Sequence, residues 1–223
     1  MTGDAGNSDL QRLYHARFST GLAYRDRIWR ALGRYFAPWI PPAGAVLDLG
    51  AGYCGFINNV TAREKYAMDF NPSIREQAAA GVTIFAQDCT QPWPLEESAL
   101  DVIFTSNFLE HLPDKAAIVT VLAHAHRCLK PGGSFLALGP NIRYVPGAYW
   151  DFFDHYVPLT DLSMAEALTV RGFDVVRRIP RFLPYTMSDG REYPIWMLRW
   201  YLAMPFFWRL FGKQFLIIGQ KRS

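Results

Sequence analysis

Asp48 stands two positions ahead of Gly50-x-Gly52 in the run VLDLGAGYCGF (46–56), directly after a short apolar stretch. Glycines at 50 and 52 let a backbone bend tightly and approach a ligand closely, and a helix opening just beyond them presents free N–H groups. Taken alone, a G-x-G-x-x-G run also fits a dinucleotide loop. The acids that follow separate the two readings. Asp69 lies 19 residues beyond Gly50, where a carboxylate can accept both hydroxyls of a ribose, and Asp88 closes a further apolar run, where it can accept the exocyclic amine of adenine. Asp48, inside the loop itself, repels a pyrophosphate and attracts a cation. An adenosine joined to a sulfonium and an α-amino group fits these charges better than NAD does. Competing uses remain: Asp69 and Asp88 as turn or helix caps, and the glycines as a bare tight turn. Phe70 either flanks the adenine or packs inward, and Asn107 either faces the ligand's amino-acid end or caps the helix of Glu110.

Such side chains need elements that bring them to one place. AVLDLG (45–50), KYAMD (65–69), VTIFAQD (82–88), LDVIFTS (100–106) and SFLALGP (134–140) read as strands. Ser73-x-x-Glu76 predicts a capping box that opens a helix, and residues 113–129 form an amphipathic helix stopped by Lys130-Pro131-Gly132-Gly133. Upstream, Leu10, Leu13, Tyr14 and Phe18, then Ile28, Leu32, Tyr35 and Phe36, keep a helical period, so two helices joined at Gly21 end at the prolines 38, 41 and 42. Downstream, a helix around AEAL (165–168) precedes the strands FDVVRRIPRF (173–182) and KQFLIIGQK (213–221). Alternating strands and helices predict βαβ units and a mainly parallel α/β sheet covered on both faces. Ligands of such sheets bind beyond the carboxyl ends of the strands, so Asp48, Asp69, Asp88 and Ser106-Asn107 converge on one edge.

DLGAG (48–52), Asp69, Asp88-Cys89, LDVIFTSNFLEHL (100–112) and LKPGG (129–133) occur in an order and spacing that resembles the class I S-adenosylmethionine-dependent methyltransferases, particularly their broad small-molecule group. The resemblance covers about residues 45–140. It implies a Rossmann-like, seven-stranded, mainly parallel sheet with helices on both faces and an antiparallel last strand. It also implies S-adenosylmethionine as cofactor, S-adenosylhomocysteine as product, Asp69 as the ribose acid and Asp88-Cys89 as the adenine contact. Cys54 stands where the commonest pattern has its third glycine, with Gly55 one place later. Cys54 and Cys89 read as small buried hydrophobes rather than nucleophiles. The segment after the fifth strand and the tail also resemble a bacterial subgroup associated with saccharide and glycolipid biosynthesis.

Methyl transfer from a sulfonium is an in-line displacement, helped mostly by holding the acceptor close and aligned. An oxygen acceptor must also lose a proton, which calls for a base such as histidine. Of His15, His111, His124, His126 and His155, the pair 124 and 126 sits on the helix away from the strand ends. His111 follows the fourth strand in Glu110-His111, a pair widespread in the resembling family and therefore read as structural before catalytic. His155 lies in NIRYVPGAYWDFFDHYVPLT (141–160), a stretch placed to cover the methyl donor. There Tyr144, Tyr149 and Trp150 can wall an acceptor pocket, and Asp154 or Asp151 can orient an imidazole. His155 is the expected base, with a packed connector as the competing reading.

At 223 residues, 50% hydrophobic and 19% charged, the chain has the profile of one domain. Within it, 1–42 reads as N-terminal helices, 43–140 as the cofactor-binding core, 141–172 as the acceptor side, and 173–223 as the terminal strand pair with an insertion at 183–212. Three cysteines, 54, 89 and 128, without a C-x-x-C pair suggest neither a disulfide framework nor a cysteine zinc site, and no metal is expected. Asp4 and Asp9 precede any apolar run, and no 18 residues pass without a charge, so neither a signal peptide nor a spanning helix is expected and the compartment reads as cytoplasmic.

Charge is uneven: residues 171–223 carry ten Lys/Arg against three Asp/Glu, and residues 1–170 carry thirteen against seventeen. Eleven aromatics fall between Phe182 and Phe215, with Trp196, Trp200, Phe207 and Phe211 at helical spacing and Pro205 placed to start a second helix. Flanked by Arg191, Arg199, Arg209 and Lys213, this insertion suits the inner membrane surface, with a lid over the acceptor or a part of the core, and a homodimer contact, as alternatives. The expected reaction is O-methylation of a hydroxyl on a sugar, glycolipid or other secondary metabolite, the acceptor being a small or lipid-linked molecule. An RNA methyltransferase, a NAD-dependent reductase and a non-catalytic cofactor-binding partner protein are the rivals. Nucleic acid is disfavoured because the tail's basic residues are interleaved with bulky apolar ones and SNFL, not N-P-P-[FY], follows the fourth strand.

Overall fold

A five-residue run with no polar break except Asp48 cannot sit at a surface, and Ala45–Leu49 (β1) is buried along its whole length at the middle of a sheet. The computed structural model describes residues 21–185 and 192–222. The helix expected around Leu10–Phe18, together with His15 and Arg191, lies outside them. Around β1, the strands Glu64–Asp69 (β2), Val82–Ala86 (β3), Leu100–Ser106 (β4), Leu129–Pro140 (β5), Phe173–Ile179 (β6) and Gln214–Lys221 (β7) form one sheet in the order β3-β2-β1-β4-β5-β7-β6. Pairing is parallel from β3 to β5, and β7 runs antiparallel to both β5 and β6. The expected Rossmann-like sheet, with its antiparallel last strand, is the observed one.

The helices are Leu22–Phe36 (α1), Gly55–Asn58 (α2), Ile74–Gln77 (α3), Lys115–Cys128 (α4), Asp161–Val170 (α5), Ile195–Ala203 (α6) and Pro205–Phe211 (α7). Side chains alternate across a strand, so Leu47 and Leu49 of β1 point to a core shared with α4 and α5, whereas Val46 points to a second core with Phe36 of α1 and Phe56 of α2. Each cap has a visible cause. Asp114 accepts the Ala117 N–H at 2.8 Å to open α4, and a capping box between Thr160 and Ser163 opens α5. The capping box expected at Ser73 is absent: Ser73 has helical backbone angles and no side-chain cap bond, its own N–H goes to Asn71 Oδ1, and α3 is a single turn.

The insertion between β6 and β7 is not an appendage. Leu202 and Trp208 are buried in the α1-side core, Trp208 stands edge-on to Phe182 with ring centres 5.1 Å apart, and its indole N–H donates to the Tyr201 carbonyl. Because β6 is parallel to β5 and β7 antiparallel to both, residues 180–213 emerge at the sheet edge where the parallel strands end. Shortening the insertion would therefore open the core, in line with the reading of this segment as part of it.

Candidate active site

The turn after β1 is built by conformations that few residues tolerate. Gly50 and Gly52 have φ of 69° and 51°, and a Cβ on Gly50 would lie 2.2 Å from the Phe108 ring. Cys54 also adopts a left-handed conformation, with φ of 57°, and Gly55 leaves room for Trp29, whose ring a Cβ there would meet at 2.2 Å. The displaced third glycine thus has a local reason: the loop keeps its left-handed step at Cys54 and gives the small position to the residue beneath α1. Burial and the nearby Asp48 and Asp69 charges push the Cys54 thiol up to about 12, so it stays a neutral core group.

Asp48 and Asp69 face the resulting cleft, of about 470 Å³. Asp48 is buried, accepts the Ile57 N–H at 3.3 Å, and has its carboxyl pushed up to about 7, chiefly by desolvation and further by Asp69. Asp69 is held by two backbone amides, Gly52 N–H on one oxygen and Asn71 N–H on the other, both at 2.8 Å. Its pKa is raised by burial against these two bonds. Each oxygen retains a second lone pair, so a ribose can still donate to it. Gly50, Phe70 and Asn107 line the same cleft, while Gly52 acts through its bond to Asp69. Asn107, at φ of 49°, donates to Ser106 Oγ and caps no helix.

The far end of the cleft is lined by Glu110, His111, Asp154 and His155. His111 Nδ1 lies 2.8 Å from the Asp154 carbonyl and 3.3 Å from its Oδ2. Both partners accept, so Nδ1 carries the proton and Nε2 keeps its lone pair. Burial would lower the His111 pKa, but the Asp154 hydrogen bond and the Glu110 and Asp154 charges outweigh it and raise the value. His155 is buried with its ring 4.8 Å from that of His111, stacked on Phe152 at 5.0 Å. Glu110 is 2% exposed, its Oε1 has no hydrogen-bond partner among the described residues, and desolvation raises its pKa.

Other expected residues are not brought to the cleft. Asp88 turns back to accept the Thr90 N–H and hydroxyl, both at 2.8 Å, which is the turn-capping use. Cys89 is buried beside it, its thiol pushed up to about 12 by desolvation. Tyr149 is fully buried, with its hydroxyl donating to the Val157 carbonyl, so it braces the segment instead of lining an acceptor pocket. Tyr144 lies under the Arg181 guanidinium at 4.8 Å, and Trp150 is 54% exposed outside the cleft. Cleft residues that sequence reasoning missed include Trp29, Phe108, Tyr185 and Gln214. Only Gly55 hinted at one of them, because a glycine beyond the loop's turn signals close packing.

A family model described as a methyltransferase domain matches residues 22–178. The chain belongs to this family of class I S-adenosylmethionine-dependent methyltransferases. Among curated relatives, a "Probable S-adenosylmethionine-dependent methyltransferase" of Mycolicibacterium smegmatis is 34% identical over 84 residues, 37% of this chain and 32% of its own length. The dimethylglycine N-methyltransferase of Parasynechococcus marenigrum is 29% identical over 115 residues, 45% of this chain and 39% of its own length. The chain thus spans about a third of the curated relatives it matches. A SAM-dependent methyltransferase from Archaeoglobus fulgidus shares the fold at a TM-score of 0.68 and 18% identity, over 95% of this chain and 99% of that one. A chain from the complex of the Haloferax volcanii Trm112 methyltransferase activator with a methyltransferase gives 0.67 at 17%, over 94% and 98%. The methyltransferase's cofactor is S-adenosylmethionine. Among the described residues no helix is long and apolar enough to cross a membrane.

Proposed function

We propose that the methyltransferase transfers the methyl group of S-adenosylmethionine to a hydroxyl of a small or lipid-linked molecule, with a sugar or glycolipid as the acceptor class. The observation that carries this reading is the continuity of one cleft from Asp48 and Asp69 to the Glu110, His111, Asp154 and His155 cluster. Asp69 receives the ribose, Asp48 the α-ammonium, and Phe70 lies alongside the adenine. The sulfonium methyl then points along the cleft toward the histidines. Attack by the acceptor oxygen forms the O–CH₃ bond as the S–CH₃ bond breaks, its electron pair returning to sulfur to leave the neutral thioether. An acceptor with a free lone pair near neutral pH would need no such cluster, whereas a hydroxyl, like an alkylammonium, must first lose a proton. The His111–His155 pair, with the expected base His155 buried in it, suits an acceptor that must lose its proton, as a hydroxyl must.

The experiment has two arms. Calorimetry should record micromolar binding of S-adenosylhomocysteine and none of NAD, and Asp69→Ala should weaken binding by about 1.5–3 kcal/mol for each charge-assisted bond lost. Transfer of labelled methyl to a panel of sugars and glycolipids should then fall by roughly 10²–10⁴-fold in His155→Ala, with cofactor affinity unchanged. Cofactor binding with full turnover in the variant would move the proton's exit elsewhere.

The lipid-linked part of the reading is supported by the outer faces of α6 and α7. Trp196 and Trp200 are 62% and 63% exposed and Phe206 is 67% exposed, beside a recess walled by Arg27, Arg30 and Arg199. Apolar rings beside arginines suit an anionic headgroup layer.

A further inference from the structure

Glu110, His111 and His155 offer more than removal of a proton requires. One ligand atom from each, two imidazole nitrogens and a carboxylate oxygen, lie within 4.8 Å of one another at the acceptor end of the cleft. We propose that these three residues are the protein ligands of a single divalent cation of the zinc type, whose open positions face the acceptor. Three observations converge on this. Glu110 is almost fully buried, and its Oε1 finds no hydrogen-bond donor among the described residues, although burying an unpaired carboxylate is costly. His111 has Nδ1 directed to Asp154, both to the carbonyl and to the carboxylate, which leaves Nε2 as the nitrogen with a free lone pair. This carboxylate–imidazole arrangement is the usual support behind a metal-bound histidine. His155 is fixed from the sides by Phe152 and Tyr149, with ring centres at 5.0 and 4.6 Å, so its ring is held against that of His111.

Two imidazoles and one carboxylate with positions left open are a donor set for catalytic zinc and for non-haem iron, whereas Mg²⁺ prefers oxygen donors throughout. A cation about 2.0–2.2 Å from each ligand atom needs those atoms roughly 3–4 Å apart, so the side chains must close by about an ångström on binding. The inference deepens the proposed hydroxyl methylation and rests on that reading for its role in the reaction. The acceptor's hydroxyl oxygen binds the open position and releases its proton to water in the cleft. The resulting alkoxide then takes the methyl from sulfur. His155 acts as a ligand in this account, and the cation supplies the acidity that a free base would otherwise provide.

The test uses the full chain, stripped with a chelator and dialysed against Zn²⁺, with elemental analysis of bound metal and Co²⁺ absorption as a second probe. The expected result is a single equivalent of Zn²⁺ displacing Mg²⁺, lost in Glu110→Gln and in His111→Ala/His155→Ala. Asp154→Asn should weaken Zn²⁺ binding by about 10–100-fold, as expected when the support of a metal-bound histidine is removed. S-adenosylhomocysteine binding in each variant checks that it folds, and the near-isosteric Glu110→Gln keeps the test alive if the double variant does not. Wild type that takes up no Zn²⁺, or variants that bind the cofactor product and still hold the full equivalent, would overturn the site. So would unaltered methyl transfer in stripped protein, which leaves the proposed reaction standing and returns His155 to the role of base. Conversely, Zn²⁺ held by these ligands in a protein that methylates no hydroxyl would sustain the site and sink the reaction.

Discussion

Asp48 is the residue at which burial and charge are most finely opposed. Its carboxyl is pushed up to about 7 by desolvation, against the Ile57 amide that favours the ionised form. Between the usual carboxylate range and pH 7 the folded chain therefore holds a proton that the unfolded chain has released. Stability from this group is complete below the unfolded pKa and is lost as pH rises toward 7. Thermal melts of the cofactor-free protein should decline over that interval, and Asp48→Asn should flatten the decline. The cofactor's ammonium favours the ionised form, so binding at pH 6 should expel up to about one proton, read from calorimetry in buffers of different ionisation enthalpy. Gly50 carries a second prediction at this scale. In Gly50→Ala the left-handed conformation costs about 1–2 kcal/mol, and the new Cβ's overlap with Phe108 roughly 1–3 kcal/mol more. Denaturant melts should show that loss along with much weaker cofactor binding.

At the scale of elements, α7 is the piece whose part in the core reaches furthest. Trp208 packs on Tyr35 of α1 and on Phe182 beyond β6, with ring centres at 6.2 and 5.1 Å. Trp208→Ala should lower unfolding free energy by about 3–5 kcal/mol in chemical denaturation, far more than a surface tryptophan would. This role was not readable from the sequence, because Trp196, Trp200, Phe207 and Phe211 share a helical spacing that describes one face and is silent about Trp208 on the other. Strands were readable because apolar runs ending in an acid or glycine have few other uses, and Asp48 and Asp69 came with them to the cleft. Asp88 ends an apolar run by the same rule, but Thr90, two residues on, gives one of its carboxylate oxygens a local partner. Tyr149 failed for a related reason: an aromatic in a loop can serve a ligand or the loop's own backbone, and its type does not distinguish the two. Trp29 had no signal of its own beyond the small residue at Gly55, since it reaches the loop only through the packing of α1 on α2.

For the whole molecule, the exposed rings of α6 and α7 and the arginines beside them belong to the same end of the sheet as the cleft, because residues 180–213 leave and re-enter the sheet there. If the proposed lipid-linked acceptor lies in a membrane, it would thus meet the cleft from the side these rings face. Wild type should sediment with vesicles containing anionic lipid and be released as salt rises, screening shortening from about 10 Å at 0.1 M to about 3 Å at 1 M. Trp196→Ala/Trp200→Ala should stay in the supernatant, and wild type that ignores such vesicles would remove the membrane reading. The strand order has a further consequence, for the making of the protein. β7 is the last strand in the chain, yet it sits between β5 and β6, so β6 has no neighbour to join while the ribosome is still short of Gln214. Domains generally fold as units during synthesis, at about 5–20 residues per second. Here the unit closes only when its final strand slides into a gap held open for it, and Gln214, the first residue of that strand, is also a wall of the cleft. A nascent chain stalled before this point should have no complete seat for S-adenosylmethionine, which makes cofactor capture a marker that β7 has emerged.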